Sequence, residues 1–271
     1  MSRTQKSARE LAIHSLRNSI PSNIWKDNED KITDLKLRIL KHPLFQHDII
    51  SLLKNKSFNL IQIQKIHLEY EHSIVEIFTD ALLMAQFQAK QLDSYLYPTM
   101  KMLPRFLIAF NINDEFGLVS EHNNYENTPL NSHFCLFNKV LANLGISTNK
   151  QRQEYIYSSE AINLRVFLEN TYRNYIKVIV ALAIAEQQVI IFSPPLKQAV
   201  KDLGIDVECG YYDVHGTTAD ETTAAADDLH EEDLWLLLNH ALHVFSFHDV
   251  ESIAFQYCDL WNSFWNKMKE I

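Results

Sequence analysis

Apolar residues recur at steps of three and four from Ser7 to Leu16 and from Asp30 to Leu40. A Ser, Asn or Asp stands ahead of each run to cap its first turn, so two short helices are predicted there. The longest uninterrupted helical pattern runs from about Asn59 to Leu92. It holds no Gly or Pro, and its apolar stripe from Ile63 through Tyr70 and Ile77 to Ala85 is expected to face the core. Pro98 and Pro104 bracket the start of the next helix, which Pro104 is expected to kink and which fades between Asn111 and Gly117. Leu118 to Pro129 is polar and reads as a surface loop, and Leu130 to Leu144 reads as a helix closed by Gly145.

Ser158 to Gln188 is a long apolar helix with a break near Asn174. The Ser193-Pro194-Pro195 step is expected to stop it, leaving Leu196 to Leu203 as a short helix ended by Gly204. Two last helices are predicted over roughly Asp220 to His243 and Val250 to Met268. No linker, repeat or low-complexity block interrupts the pattern, so residues 1–271 read as one all-α domain, a single helical bundle.

Composition supports that reading. Five Gly and seven Pro leave few tight turns, which disfavours a β-sandwich or a Gly-rich α/β fold. No apolar run was expected to approach the roughly 20 residues that cross a bilayer, so no membrane contact is expected. The N-terminus lacks the apolar core of a secretory signal, which points to a cytoplasmic location. A net charge of −9 argues against a nucleic-acid backbone as partner. Cys135, Cys209 and Cys258 are too widely and irregularly spaced for a disulfide framework or a zinc motif and read as free thiols.

The chemistry-bearing residues are scattered. Glu186 closes the run Ile179-Val-Ala-Leu-Ala-Ile-Ala-Glu186, where a charge among apolar neighbours needs a partner unless it points to water at the helix end. Glu115 follows the apolar run Phe106 to Phe110, and His133 opens a helix. Asp227 and His230 stand three apart, so on a helix they share a face, although Glu231, Glu232 and Asp233 beside them also suit a solvated surface. His215 follows Tyr211-Tyr212-Asp-Val. His240, His243 and His248 lie beyond this set and are expected to be exposed.

The order of these residues resembles the haem-oxygenase-like diiron oxidase and oxygenase superfamily. Asn111-Ile-Asn-Asp114-Glu115-Phe-Gly117 fits that family's Asn-x-x-Asp-Glu-x-Gly segment. His133, with Phe137, Leu141, Leu144 and Gly145, fits the His-opened helix ending in Leu-Gly that follows it. Glu186 lies 53 residues beyond His133, and the aromatic-rich segment ending at His215 lies 29 beyond Glu186, at distances like those in the family. The chain departs at the last element, His-x-x-x-Asp-x-x-His, because Asp227 stands twelve residues after His215 rather than four. An insertion from Gly216 to about Ala224 would account for this. The resemblance spans about residues 60–268.

What the resemblance implies is a haem-oxygenase-like bundle in which Glu115, His133, Glu186, His215, Asp227 and His230 bind two Fe ions. Molecular oxygen is the implied co-substrate, and the implied partner is a small-molecule substrate such as an amino acid or fatty acid in specialised biosynthesis. Asp220 and Asp228 rival Asp227, His122 and Glu126 are weaker substitutes, and a homodimer is an open expectation. Two other readings compete: a non-catalytic helical protein of the same fold that binds a ligand or partner, and a cofactor-independent hydrolase using Cys135.

Overall fold

A computed structural model describes residues 7–93, 100–118, 128–146, 149–207, 210–214 and 226–271. Within them the chain is all-α and no strand occurs. The helices are α1 (Ala8–Arg17), α2 (Ser22–Ile39), α3 (Ile49–Lys54), α4 (Leu60–Tyr70), α5 (Phe78–Gln88), α6 (Met102–Glu115), α7 (His133–Asn143), α8 (Asn149–Gln153), α9 (Ser159–Thr171), α10 (Tyr175–Asp202), α11 (Tyr211–Val214), α12 (Ala226–Ala241) and α13 (Phe247–Lys269).

Local signals place most of these ends. Ser7 and Glu10 form a reciprocal capping box on α1, and Asn59 and Gln62 form another on α4. The predicted break at Asn174 is real, because its side chain accepts from Lys177 N and starts α10. Gly145 and Gly204 end α7 and α10 with φ of 85° and 77°. Pro104 does not kink α6. It sits in the first turn, where no N–H has an intrahelical acceptor to lose.

Two further expectations fail for physical reasons. The pattern from 59 to 92 is not one helix, since Glu71–Val75 forms a π-turn between α4 and α5, with Glu76 N bonded to Glu71 O at 3.1 Å. Further on, α10 runs straight through Pro194 and Pro195. The carbonyls robbed of donors belong to Ile190 and Ile191, which are only half-buried and can be hydrated. Packing on either side holds the helix, with the rings of Phe192 and Trp265 stacked at 4.3 Å.

Helix α10 is the axis of the fold and is buried along most of its length, against α3, α5, α9, α12 and α13. At 28 residues it is long and apolar enough to cross a membrane, which corrects the expectation from sequence. Its most apolar stretch is 83% buried within the protein, as in a core helix apolar on all sides. Trp261, Phe264 and Trp265 of α13 and Tyr70 of α4 fill the space beside it, each burial contributing about 1.5–3 kcal/mol.

Candidate metal centre

Four helices deliver acids and imidazoles to one buried place. Glu115 is the last residue of α6 and His133 the first of α7, so two helix ends meet there. His133 donates from Nδ1 to Glu115 Oε1 at 3.0 Å, and its Nε2 lies 3.7 Å from Asp114 Oδ2. From α12, His230 places Nε2 3.4 Å from the same Asp114 oxygen and Nδ1 3.7 Å from Glu186 Oε1 of α10. Glu115, His133, Glu186 and His230 are all buried.

Gly117 explains how the two helix ends come so close. Its φ is +70°, and a Cβ there would stand 2.5 Å from the backbone C and O of Asn131. Only a residue without a side chain lets the end of α6 lie against the turn that leads into His133. The bonds from Gly117 N to Asp114 O (2.7 Å) and Leu118 N to Asn113 O (2.9 Å) close the helix at that point.

Beside this cluster is a pocket lined by Tyr70, Ile74, Val75, Phe78, Phe134, Val189 and Tyr211, with Glu115, His133 and Glu186 as its polar wall. Ile74 and Val75 come from the π-turn, so the irregular turn shapes the pocket. Tyr70 also donates to Gln188 Oε1 at 3.2 Å, which ties the pocket wall to α10.

The placement of the sequence candidates is uneven. Glu115, His133, Glu186 and His230 are brought together. His215, and with it Asp220, His122 and Glu126, lies outside the described residues. Asp227 and Asp228 fall on the first turn of α12, one turn ahead of His230, and their side chains also lie outside the description. Asp114 was not among the expected ligands, yet its carboxylate touches both imidazoles. The signal for it was its place beside Glu115, which a helix face would have turned away had α6 not ended there. His240, expected to be exposed, is fully buried with neither ring nitrogen hydrogen-bonded. Cys135 is half-buried on α7 and does not line the pocket.

Three carboxylates, those of Asp114, Glu115 and Glu186, face two imidazoles here. Glu115 and Glu186 are buried whereas the Asp114 side chain is 40% exposed, and a buried carboxylate is stabilised by a proton, a hydrogen bond or a cation beside it. The donor set therefore has the chemistry that oxygen- and nitrogen-preferring ions require. Its arrangement is pairwise: among the described residues no three His, Cys, Asp or Glu groups are placed to hold an ion. No protein-family model matches the chain, and no curated protein matches it significantly.

Proposed function

We propose that the chain is a non-haem diiron, oxygen-dependent oxidase or oxygenase of the haem-oxygenase-like kind, acting on a small metabolite. One observation carries this reading: Glu115, His133 and Glu186 form the polar wall of an otherwise apolar pocket, and Asp114 and His230 stand against them, so that four helices bring acids and imidazoles to one place. Glu115, His133, Glu186 and His230, with Asp114, would hold the ions, together with His215 and Asp227 as the family resemblance implies. Bound ferrous iron would supply the electrons that activate oxygen.

The chain's own residues have separable tasks. Glu115 fixes the ring of His133 by accepting its Nδ1–H, a carboxylate–imidazole pairing that sets ligand orientation and tautomer. Ile74, Val75, Phe78, Phe134 and Val189 exclude water and receive an apolar part of the substrate. No lysine or arginine is among the lining residues described. Tyr70 and Tyr211 add hydroxyls that can orient the substrate.

The pairwise arrangement of the donors favours a second reading, a non-catalytic protein of the same build that binds a small apolar ligand. Anaerobic reconstitution separates the two. The enzyme reading expects uptake of about two ferrous ions per chain, and Glu186→Ala should lower that uptake with the helical circular dichroism unchanged. Replacing Asp220, Asp227 and Asp228 singly by Asn should reduce iron content at only one position. Wild-type protein that folds yet takes up no iron would leave the second reading standing.

A further inference from the structure

Helix α6 is apolar on both sides. Leu107, Ile108 and Ile112 are buried beneath it, whereas Met102, Phe106 and Phe116 point outward. Its neighbour α5 likewise turns Leu83 and Phe87 to the outside. These five outward residues are between 40% and 55% exposed.

The two helices form an antiparallel pair. Lys101 bonds Asp93 at 2.7 Å, and further along Arg105 Nε donates to Gln86 O at 3.0 Å while Gln86 Nε2 donates to Arg105 O at 3.4 Å. Arg105 Nη2 also donates to Phe87 O at 3.4 Å, which sets Phe87 and Phe106 at one level of the pair, and Phe106 meets Phe110 edge-on at 5.3 Å. The outward residues of α5 and the first part of α6 therefore make one continuous apolar face.

A half-exposed phenylalanine leaves on the order of 100 Å² in water, which puts the four residues of this face, Leu83, Phe87, Met102 and Phe106, near 400 Å². That lies within the range of the largest single patches on monomers, about 300–600 Å². It also matches the apolar share of one side of an ordinary interface of about 800 Å² per partner.

Charge indicates what covers it. The chain carries a net −9, so two copies repel over most of their surface. On this helix pair the outer charges are Asp80 and Asp93 with Lys90, Lys101 and Arg105, both signs together and no acidic excess. Asp80 and Lys90 have no ionic partner among the described residues. Lys90 instead lies 4.0 Å above the Phe87 ring, at the edge of the apolar face.

We infer that a second copy of this chain docks here, α5 and α6 packing on their symmetry mates as a four-helix layer. A two-fold axis midway between Leu83 and Phe87 lays α5 antiparallel to its copy and brings Asp80 of each chain towards Lys90 of the other, as an isologous contact requires. An expectation of a homodimer thus gains a face. The inference does not depend on the metal reading, since none of these residues touches the donor cluster.

The test is the mass of the full chain in solution by sedimentation equilibrium. The expected result is twice 31.6 kDa. Phe87→Glu with Phe106→Glu should return it to a single chain with unchanged helical circular dichroism. Lys90→Asp alone and Asp80→Lys alone should each weaken the dimer at least several-fold, and the two together should restore it, which needs no disruptive substitution in the apolar face. A wild-type chain that stays monomeric well above the micromolar range overturns the inference, as does a dimer indifferent to all of these changes. Monomer that instead co-sediments with anionic phospholipid vesicles would assign the face to a lipid surface and overturn it equally.

Discussion

Tyr212 donates its hydroxyl hydrogen to Nε2 of His67 at 2.5 Å, joining α11 to α4 across 145 residues of chain. The other ring nitrogen of His67 lies 2.7 Å from Ile63 O, a pure acceptor, so Nδ1 carries the proton and Nε2 is free to accept. Burial pulls His67 down to about 4, against which the bond to Ile63 works, and pushes the Tyr212 hydroxyl up. Both groups are therefore neutral near pH 7. The bond pins α11 and so holds Tyr211 on the pocket wall.

Tyr212→Phe keeps the ring and removes the donor, leaving a buried acceptor without its partner. A cost of about 1–3 kcal/mol is expected, read as a lower urea midpoint. Ligand binding should weaken with it, because Tyr211 loses its anchor. A variant as stable as the parent would show that the bond contributes nothing net.

Acid should destabilise the protein well before its ordinary carboxylates titrate. Burial depresses both His67 and His240 from 6.5 to about 4, with His243 adding to the effect at His240. Above pH 6.5 neither state is charged and the stability is complete. Between 6.5 and 4 the unfolded chain takes up protons that the folded chain refuses, so stability falls, by up to about 3 kcal/mol for each group. His240→Leu also removes two buried nitrogens without hydrogen bonds. Its urea midpoint should depend less steeply on pH over that window, and an unaltered slope would exclude His240 as a source.

Glu71 has the opposite sign. It is fully buried in the π-turn, and burial raises it from 4.5 to about 7 despite Arg152 at 3.2 Å, with Glu76 raising it further. Below pH 4.5 both states hold the proton and nothing is lost. As pH rises to 7 the unfolded chain releases its proton while the folded chain keeps it, so stability drops, and above 7 the full penalty is present. Glu71→Gln removes up to about 3 kcal/mol of that penalty and forfeits part of the attraction to Arg152. A net gain of about 1–2 kcal/mol is expected at pH 8, vanishing near pH 4.5. A loss of stability at pH 8 would mean that the ion pair outweighs the burial of its charge.

The sequence disclosed what local rules govern. Caps at Ser7, Asn59 and Asn174 and glycines at 145 and 204 mark helix ends because the chemistry of an end is local. The all-helical class followed from periodicity and from scarce Gly and Pro. What stayed hidden depends on distant partners. The π-turn at Glu71 leaves no compositional mark. The passage of α10 through two prolines depends on Phe192 stacking against a tryptophan 73 residues on. His240 resembles a surface histidine until α12 is packed, and Asp114 resembles a discarded neighbour until α6 ends beside it. Glu115 meets His133 and Glu186 meets His230, whereas His215 and the side chain of Asp227 fall outside the described residues.

Gly117 offers a test of how tightly the candidate centre is built. Replacing it by Ala forces a side chain into φ +70°, which costs about 1–2 kcal/mol, and drives the new methyl against the Asn131 backbone. The strand of chain that must yield is the one delivering His133, two residues on. Gly145→Ala is the control: its φ is similar at +85°, yet the nearest atom is the flexible end of Gln64 at 3.5 Å. The Gly117 variant should therefore lose more thermal stability than the Gly145 variant and should bind ferrous iron more weakly, whereas the control should keep its iron affinity. Equal losses in both would show that the crowding at Asn131 is relieved without moving His133, and that the close approach of α6 to α7 is not what holds Glu115 and His133 together.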